Sequence, residues 1–174
     1  MKRSMALFFL AATAIWAQKP LISHEVMSAV EESFDNRIKL FSADDPLDLL
    51  GTTRGIYLEG YGVVVTAEVN LVMAAGITPF HQTFTKEEIA RLHQKKLQRL
   101  EALKQIMMEQ LAGLATSLNT LPPNEQVVLG VILVYRPWED ATGLPRQVVM
   151  QAPRKALLGV QKASLRSAIH VQEY

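Results

Sequence analysis

Apolar residues recur every three to four positions across residues 21–40. Leu21, Ile22, Val26, Val30, Phe34 and Ile38 form one stripe, while Ser23, His24, Glu25, Ser28, Glu31, Glu32 and Asp35 fill the other side. This is the pattern of an amphipathic helix, and Arg37 and Lys39 near its end suit the helix dipole. Pro46 disfavours helical geometry at Asp45 and ends the segment. Leu47, Asp48, Leu49 and Leu50 predict one further helical turn before Gly51.

The period then falls to two. Gly55-Ile56-Tyr57-Leu58-Glu59-Gly60-Tyr61-Gly62 runs into an alternating segment that ends near Val72. The pattern predicts two strands joined tightly at Gly60 and Tyr61, because glycine at a hairpin tip takes positive φ without steric cost. Pairing Glu59 with Gly62 sets Leu58 against Val63, Ile56 against Val65 and Arg54 against Ala67. One face then collects Ile56, Leu58, Val63, Val65, Ala67, Val69 and Leu71. The other collects Tyr57, Glu59, Val64, Thr66, Glu68 and Asn70, as expected for a sheet buried on one side. A single strand bulged at residues 60–62 is the alternative.

Residues 74–82 form a loop, and the helical period returns at Thr85. Thr85 and Glu88 have capping-box spacing, and Phe84 and Ile89 are placed for a hydrophobic staple. The helix extends over residues 86–118, roughly 50 Å at 1.5 Å per residue. His93, Leu97, Leu100, Lys104, Met107, Leu111, Leu114 and Leu118 repeat at alternating four and three, a heptad seam with polar interruptions. Arg91, Lys95, Lys96 and Arg99 make the wet face of its first half basic. Pro122 and Pro123 follow its end. Residues 125–135 are then, after the first two, apolar on both faces, the signature of a central strand covered on both sides. Residues 136–145 turn the chain, residues 147–151 pair back, residues 154–163 form a short helix behind Pro153, and residues 167–173 alternate as a last strand.

The element order is therefore α-β-β-α-β-β-α-β. With no doubly wound helix-strand repeat, the pattern predicts an α+β fold. It has a mostly antiparallel sheet of about five strands, with the long amphipathic helix packed on it.

The first 17 residues alter this picture. Lys2 and Arg3 precede an apolar run over residues 5–17. That run is shorter than the ~20 residues of a membrane-spanning helix and matches the apolar region of a signal peptide. Ala14 and Ala17 are the candidate cleavage positions. Residues 1–17 are thus expected to be a signal peptide, and residues 18–174 a single periplasmic or secreted domain with no transmembrane segment after cleavage. Cleavage takes away two of the 18 bases and turns the net charge from +1 to −1. No block of basic residues marks a nucleic-acid partner.

The chain has no cysteine. That excludes thiol catalysis and a disulfide framework, so stability rests on the apolar core. Gly-x-Ser-x-Gly is absent. The four histidines, His24, His81, His93 and His170, lack metal-ligand spacing, so no metal is expected. Gly60-Tyr61-Gly62 is followed by a strand rather than a helix, so it cannot cradle a pyrophosphate. No cofactor is predicted.

The run from Gly55 to Thr66 resembles a stretch of uncharacterised exported bacterial proteins. The resemblance covers about a tenth of the chain and implies export from a bacterium, without an activity or cofactor.

Two functional readings compete. In the first, this is an exported non-enzymatic protein that binds or assembles with another protein or an envelope component. Tyr57, Tyr61, Asn70 and Trp138 are the candidate binding residues, and helix 86–118 is a candidate homodimer surface. In the second, Glu59 and Glu68 act as the paired carboxylates of a small envelope-polymer hydrolase, on the logic of glycoside hydrolysis. Glu68 paired with Arg37 or Arg54 would instead be a structural charge.

Overall fold

The computed structural model describes residues 21–41, 46–73 and 83–174. Residues 1–20, the loop at 74–82 and His81 lie outside them. In chain order the elements are α1 (His24–Lys39), β1 (Asp48–Leu49), β2 (Arg54–Leu58), β3 (Gly62–Asn70), α2 (Lys86–Ser117), β4 (Gln126–Leu133), β5 (Gln147–Pro153), α3 (Arg154–Leu157), a 3-10 turn (Lys162–Ser164), α4 (Leu165–Ala168) and β6 (His170–Glu173).

The fold is α+β, with a six-stranded sheet in the order β1-β3-β4-β5-β6 and β2 beside β3 on the β1 side. The sheet is mixed, which corrects the expectation of a mostly antiparallel one. β3 and β4 run parallel from Gly62↔Gln126 to Val69↔Leu133, while the other pairs are antiparallel. The physical reason is α2. A 32-residue helix carries the chain back along the sheet, so the next strand starts at the same end as β3 and lies parallel to it. The order also gains a strand, because Asp48 and Leu49 pair with Asn70 and Val69 instead of forming a helical turn.

Helix caps follow the local sequence. Ser23 caps α1, accepting from the Val26 N–H. At α2 both capping-box bonds form, Thr85 N–H to Glu88 Oε2 at 2.8 Å and Glu88 N–H to Thr85 Oγ1 at 3.2 Å. The C-terminal helix of residues 154–163 is broken into α3 and a 3-10 turn, with Gly159 at φ +72 between them.

The core lies between the helices and one face of the sheet. Val63, Val65, Ala67 and Val69 of β3 join Val127, Leu129 and Val131 of β4, and Val148 and Met150 of β5. Phe34 and Ile38 of α1 and Leu103, Met107, Leu111 and Leu114 of α2 pack on them. The apolar stripe of α2 is thus buried against its own sheet, as a helix stripe normally is. Lys96 and Arg99, expected on the wet face, are buried as well. Arg99 donates to the Leu71 carbonyl at 2.6 Å and the Pro46 carbonyl at 3.3 Å, with its guanidinium 5.5 Å from the Phe41 ring centre. Asp35, expected in solvent, is buried because its Oδ1 accepts the Thr53 N–H at 2.9 Å.

Candidate functional site

The hairpin register decides what the second face of the sheet carries. Leu58 pairs with Gly62, Tyr57 with Val63, Ile56 with Val64 and Arg54 with Thr66. This is one residue away from the expected pairing. The turn therefore contains Glu59, Gly60 and Tyr61, with the Tyr61 N–H bonded to the Leu58 carbonyl at 3.0 Å. Gly60 has φ +75, which the third position of a type II turn requires. Side chains alternate along a strand, so a one-residue shift moves every side chain of β2 to the opposite face. Tyr57 goes to the core side, and Ile56 and Leu58 go to the outer side with Val64, Thr66 and Glu68.

Cross-strand rows extend this outer face over the whole sheet. Ile56, Val64, Val128, Gln151 and His170 lie in one row, and Arg54, Thr66, Gly130, Val149 and Gln172 in the next. No helix of the described residues packs on it. Ile56 is 56% exposed, Leu58 43% and Ile132 41%. Gly130 removes a side chain from the centre of the face, between Thr66 and Val149. Around the apolar positions stand Gln126, Gln147, Gln151 and Gln172, whose side-chain amides have no hydrogen-bond partner among the described residues. β4 is central, as its apolar run predicts, but no described element covers its outer side.

The residues singled out from sequence fall in different places. Glu68 lies exposed on the outer face, while Glu59 is exposed in the turn. The strand between Gly62 and Glu68 alone spans about 20 Å at ~3.3 Å per residue, whereas paired glycosidase carboxylates stand within about 10 Å. The fold does not bring the two carboxylates together. Glu68 makes no ion pair among the described residues, and Arg37 instead meets Glu109 at 2.5 Å. Tyr61 is exposed beside Glu59. The Tyr57 hydroxyl donates to Glu125 Oε1 at 3.4 Å, and burial together with the Glu125 carboxylate holds the phenol above its usual range. Asn70 is buried, and its Oδ1 accepts the Val72 N–H at 3.3 Å. Trp138 stacks on Phe84, with ring centres 3.8 Å apart.

A buried ion pair lies beside Trp138. Lys96 Nζ donates to Glu139 Oε2, and the two side chains are 0% and 1% exposed. Lys96 also sits 5.0 Å above the Tyr135 ring centre. Burial lowers the Lys96 pKa against the pull of Glu139, and burial followed by the Glu139 charge pushes Tyr135 up to about 12. These groups clamp the 136–145 turn to α2, assisted by the His93 ring bonding the Asp140 carbonyl at 3.0 Å. The Lys96 and Glu139 side chains are closed to solvent, so the pair is structural. Among the described residues no cluster of acidic, histidine or cysteine side chains is arranged to hold a metal, and no helix is long and apolar enough to cross a membrane.

No protein family, curated protein or solved structure matches this chain. The site must therefore be argued from its own geometry. The feature that residue-by-residue sequence reading missed is the set of four glutamines. The spacing of Gln147 and Gln151, four apart in one strand, placed them on a common face, but nothing in the sequence marked that face as uncovered.

Proposed function

We propose that this is an exported, non-enzymatic binding or assembly domain that meets its partner through the outer face of its sheet. One observation carries the reading. A sheet covered by helices on one side presents on the other three exposed large apolar side chains, Ile56, Leu58 and Ile132, beside four glutamine amides with no partner among the described residues. Apolar contact area interleaved with free hydrogen-bonding groups is what a protein interface uses. The basic and apolar start of the chain, residues 1–17, supports export, as does the resemblance of the Gly55 stretch to exported bacterial proteins.

Photo-crosslinking in intact cells tests the binding face. A photoreactive residue replacing Ile56 or Ile132 is expected to trap a discrete adduct, whereas one replacing Glu87 or Lys155, exposed elsewhere, traps none. Equal labelling from all four positions, or none from the sheet positions, sinks the proposal. Cell fractionation with N-terminal sequencing of the recovered protein tests export. A new N-terminus after Ala14 or Ala17 is expected, and an intact Met1 in the cytoplasmic fraction defeats that part.

A further inference from the structure

The two edges of the sheet are treated differently. At the β2 edge, helix α1 supplies carboxylates to the outward N–H groups. Asp35 accepts from Thr53 at 2.9 Å and Glu31 from Gly55 at 2.8 Å. That edge is capped against a further strand. At the other edge β6 pairs, among the described residues, only with β5. Tyr174 and Gln147 exchange both backbone hydrogen bonds, at 3.0 and 3.2 Å. In an antiparallel ladder such pairs alternate. Gln172 and His170 therefore bond inward, while Val171 and Glu173 turn their N–H and C=O groups away from the sheet.

A groove of about 600 Å³ opens beside this edge, with Val171 and Glu173 in its lining. Met108 of α2, Leu165 of α4 and Ile169 form its floor and are themselves buried. The charges on its two sides are unequal. On the α2 side Lys104 is neutralised by Glu101 at 2.5 Å and Glu173 at 2.9 Å. On the opposite side Lys162 is 72% exposed and shares Glu109, 2.7 Å away, with Arg37. Next to it Arg166 is exposed and has no ion pair among the described residues.

We infer that the β6 edge and its groove form a docking site for an extended peptide segment carrying acidic side chains. The segment adds to the sheet as a seventh strand. Its backbone bonds the four outward groups of Val171 and Glu173. Every second side chain points to the helical side, because strand side chains alternate. There Lys162 and Arg166 meet its carboxylates. Backbone pairing supplies the affinity, and the one-sided positive charge selects the sequence. This edge adjoins the outer sheet face at His170 and Gln172, but neither proposal depends on the other.

The test uses the full chain and a fluorescein-labelled, end-blocked octapeptide of alternating valine and glutamate. Fluorescence anisotropy is expected to report saturable binding, with hydrogen exchange slowed at the Val171 and Glu173 amides. Replacing glutamate by lysine in the probe, or making Lys162→Glu with Arg166→Glu in the protein, weakens binding by about tenfold or more. N-methylating alternate amides of the probe abolishes it. The inference is overturned if the lysine or N-methylated probe binds equally well, or if no binding occurs up to about 1 mM. It is also overturned if the two edge amides are already protected by pairing with β6 of a second copy. Because the probe series is read on the unaltered protein, a misfolded variant leaves the test intact.

Discussion

Lys96 and Glu139 form an ion pair from which water is excluded, linking the middle of α2 to the turn between β4 and β5. Glu139 Oε1 is buried without a hydrogen-bond partner among the described residues, so Lys96 is the main compensation for that carboxylate. Removing one partner leaves a buried uncompensated charge, while removing both leaves apolar groups that can pack. Lys96→Met is expected to cost about 3–5 kcal/mol, and Lys96→Met with Glu139→Leu much less than that. Urea unfolding of the two variants checks the order. A double variant no more stable than the single one contradicts it.

Tyr135 adds a pH signature to the same cluster. Its pKa is pushed up from 10 to about 12, first by burial and then by the Glu139 charge, with Arg146 opposing. The unfolded chain loses this proton near pH 10, while the folded protein keeps it until about pH 12. Between those limits the folded state binds more protons, so its stability falls as pH rises. Absorbance at 295 nm should show two of the four tyrosines, Tyr57 and Tyr135, ionising late, and Tyr135→Phe should remove the later step. A later step that persists in the variant would assign it elsewhere.

Gly62 begins β3 where the parallel ladder to β4 starts. Its φ is +140, and a Cβ there would lie 2.0 Å from the Gln126 carbonyl oxygen and 2.6 Å from its nitrogen. Both atoms are backbone in a paired strand, so neither yields cheaply. Gly62→Ala is expected to destabilise by more than ~3 kcal/mol, combining backbone strain with a forced shift of β4. Gly60, two residues away with φ +75, has open space around it. Gly60→Ala should cost only about 1–2 kcal/mol, the left-handed penalty alone. Comparable losses in the two variants would mean that the close approach to Gln126 is unimportant.

Asp35 holds the Thr53 N–H, and Thr53 is fully buried. Asp35→Ala leaves that donor without its acceptor, and a buried orphan group costs about 1–3 kcal/mol. Hydrogen exchange should show the effect locally, as faster exchange at Thr53 with the β4 amides little changed. Unaltered exchange at Thr53 would show that Asp35 does not cap this edge.

Short-range chemistry was legible in the chain itself. The capping box at Thr85 and Glu88 joins groups three residues apart, and the structure forms both of its bonds. The stripes of α1 and α2, the strand segments and the two-layer α+β character follow from periodicity, which is written residue by residue. Glu59, Glu68, Tyr57 and Asn70 were assigned to one face only because a register was assumed, and register depends on how many residues the turn absorbs. Three residues in the turn at residues 59–61, rather than two at Gly60 and Tyr61, moved Tyr57 inward and brought Ile56 and Leu58 out.

The sequence by itself determined helices α1 and α2 and the positions of strands β2 to β5, the caps that start those helices, the glycines where the chain turns, and the absence of thiol chemistry. Each of these depends on neighbours a few positions away. The tertiary structure alone decided that β3 and β4 lie parallel, that Lys96 finds Glu139 forty-three residues on, that α1 caps one edge of the sheet, and that no described element covers β6 or the outer face. Those outcomes depend on contacts between distant segments, where burial and the demand for a hydrogen-bond partner outweigh the local preference of a charged side chain for water.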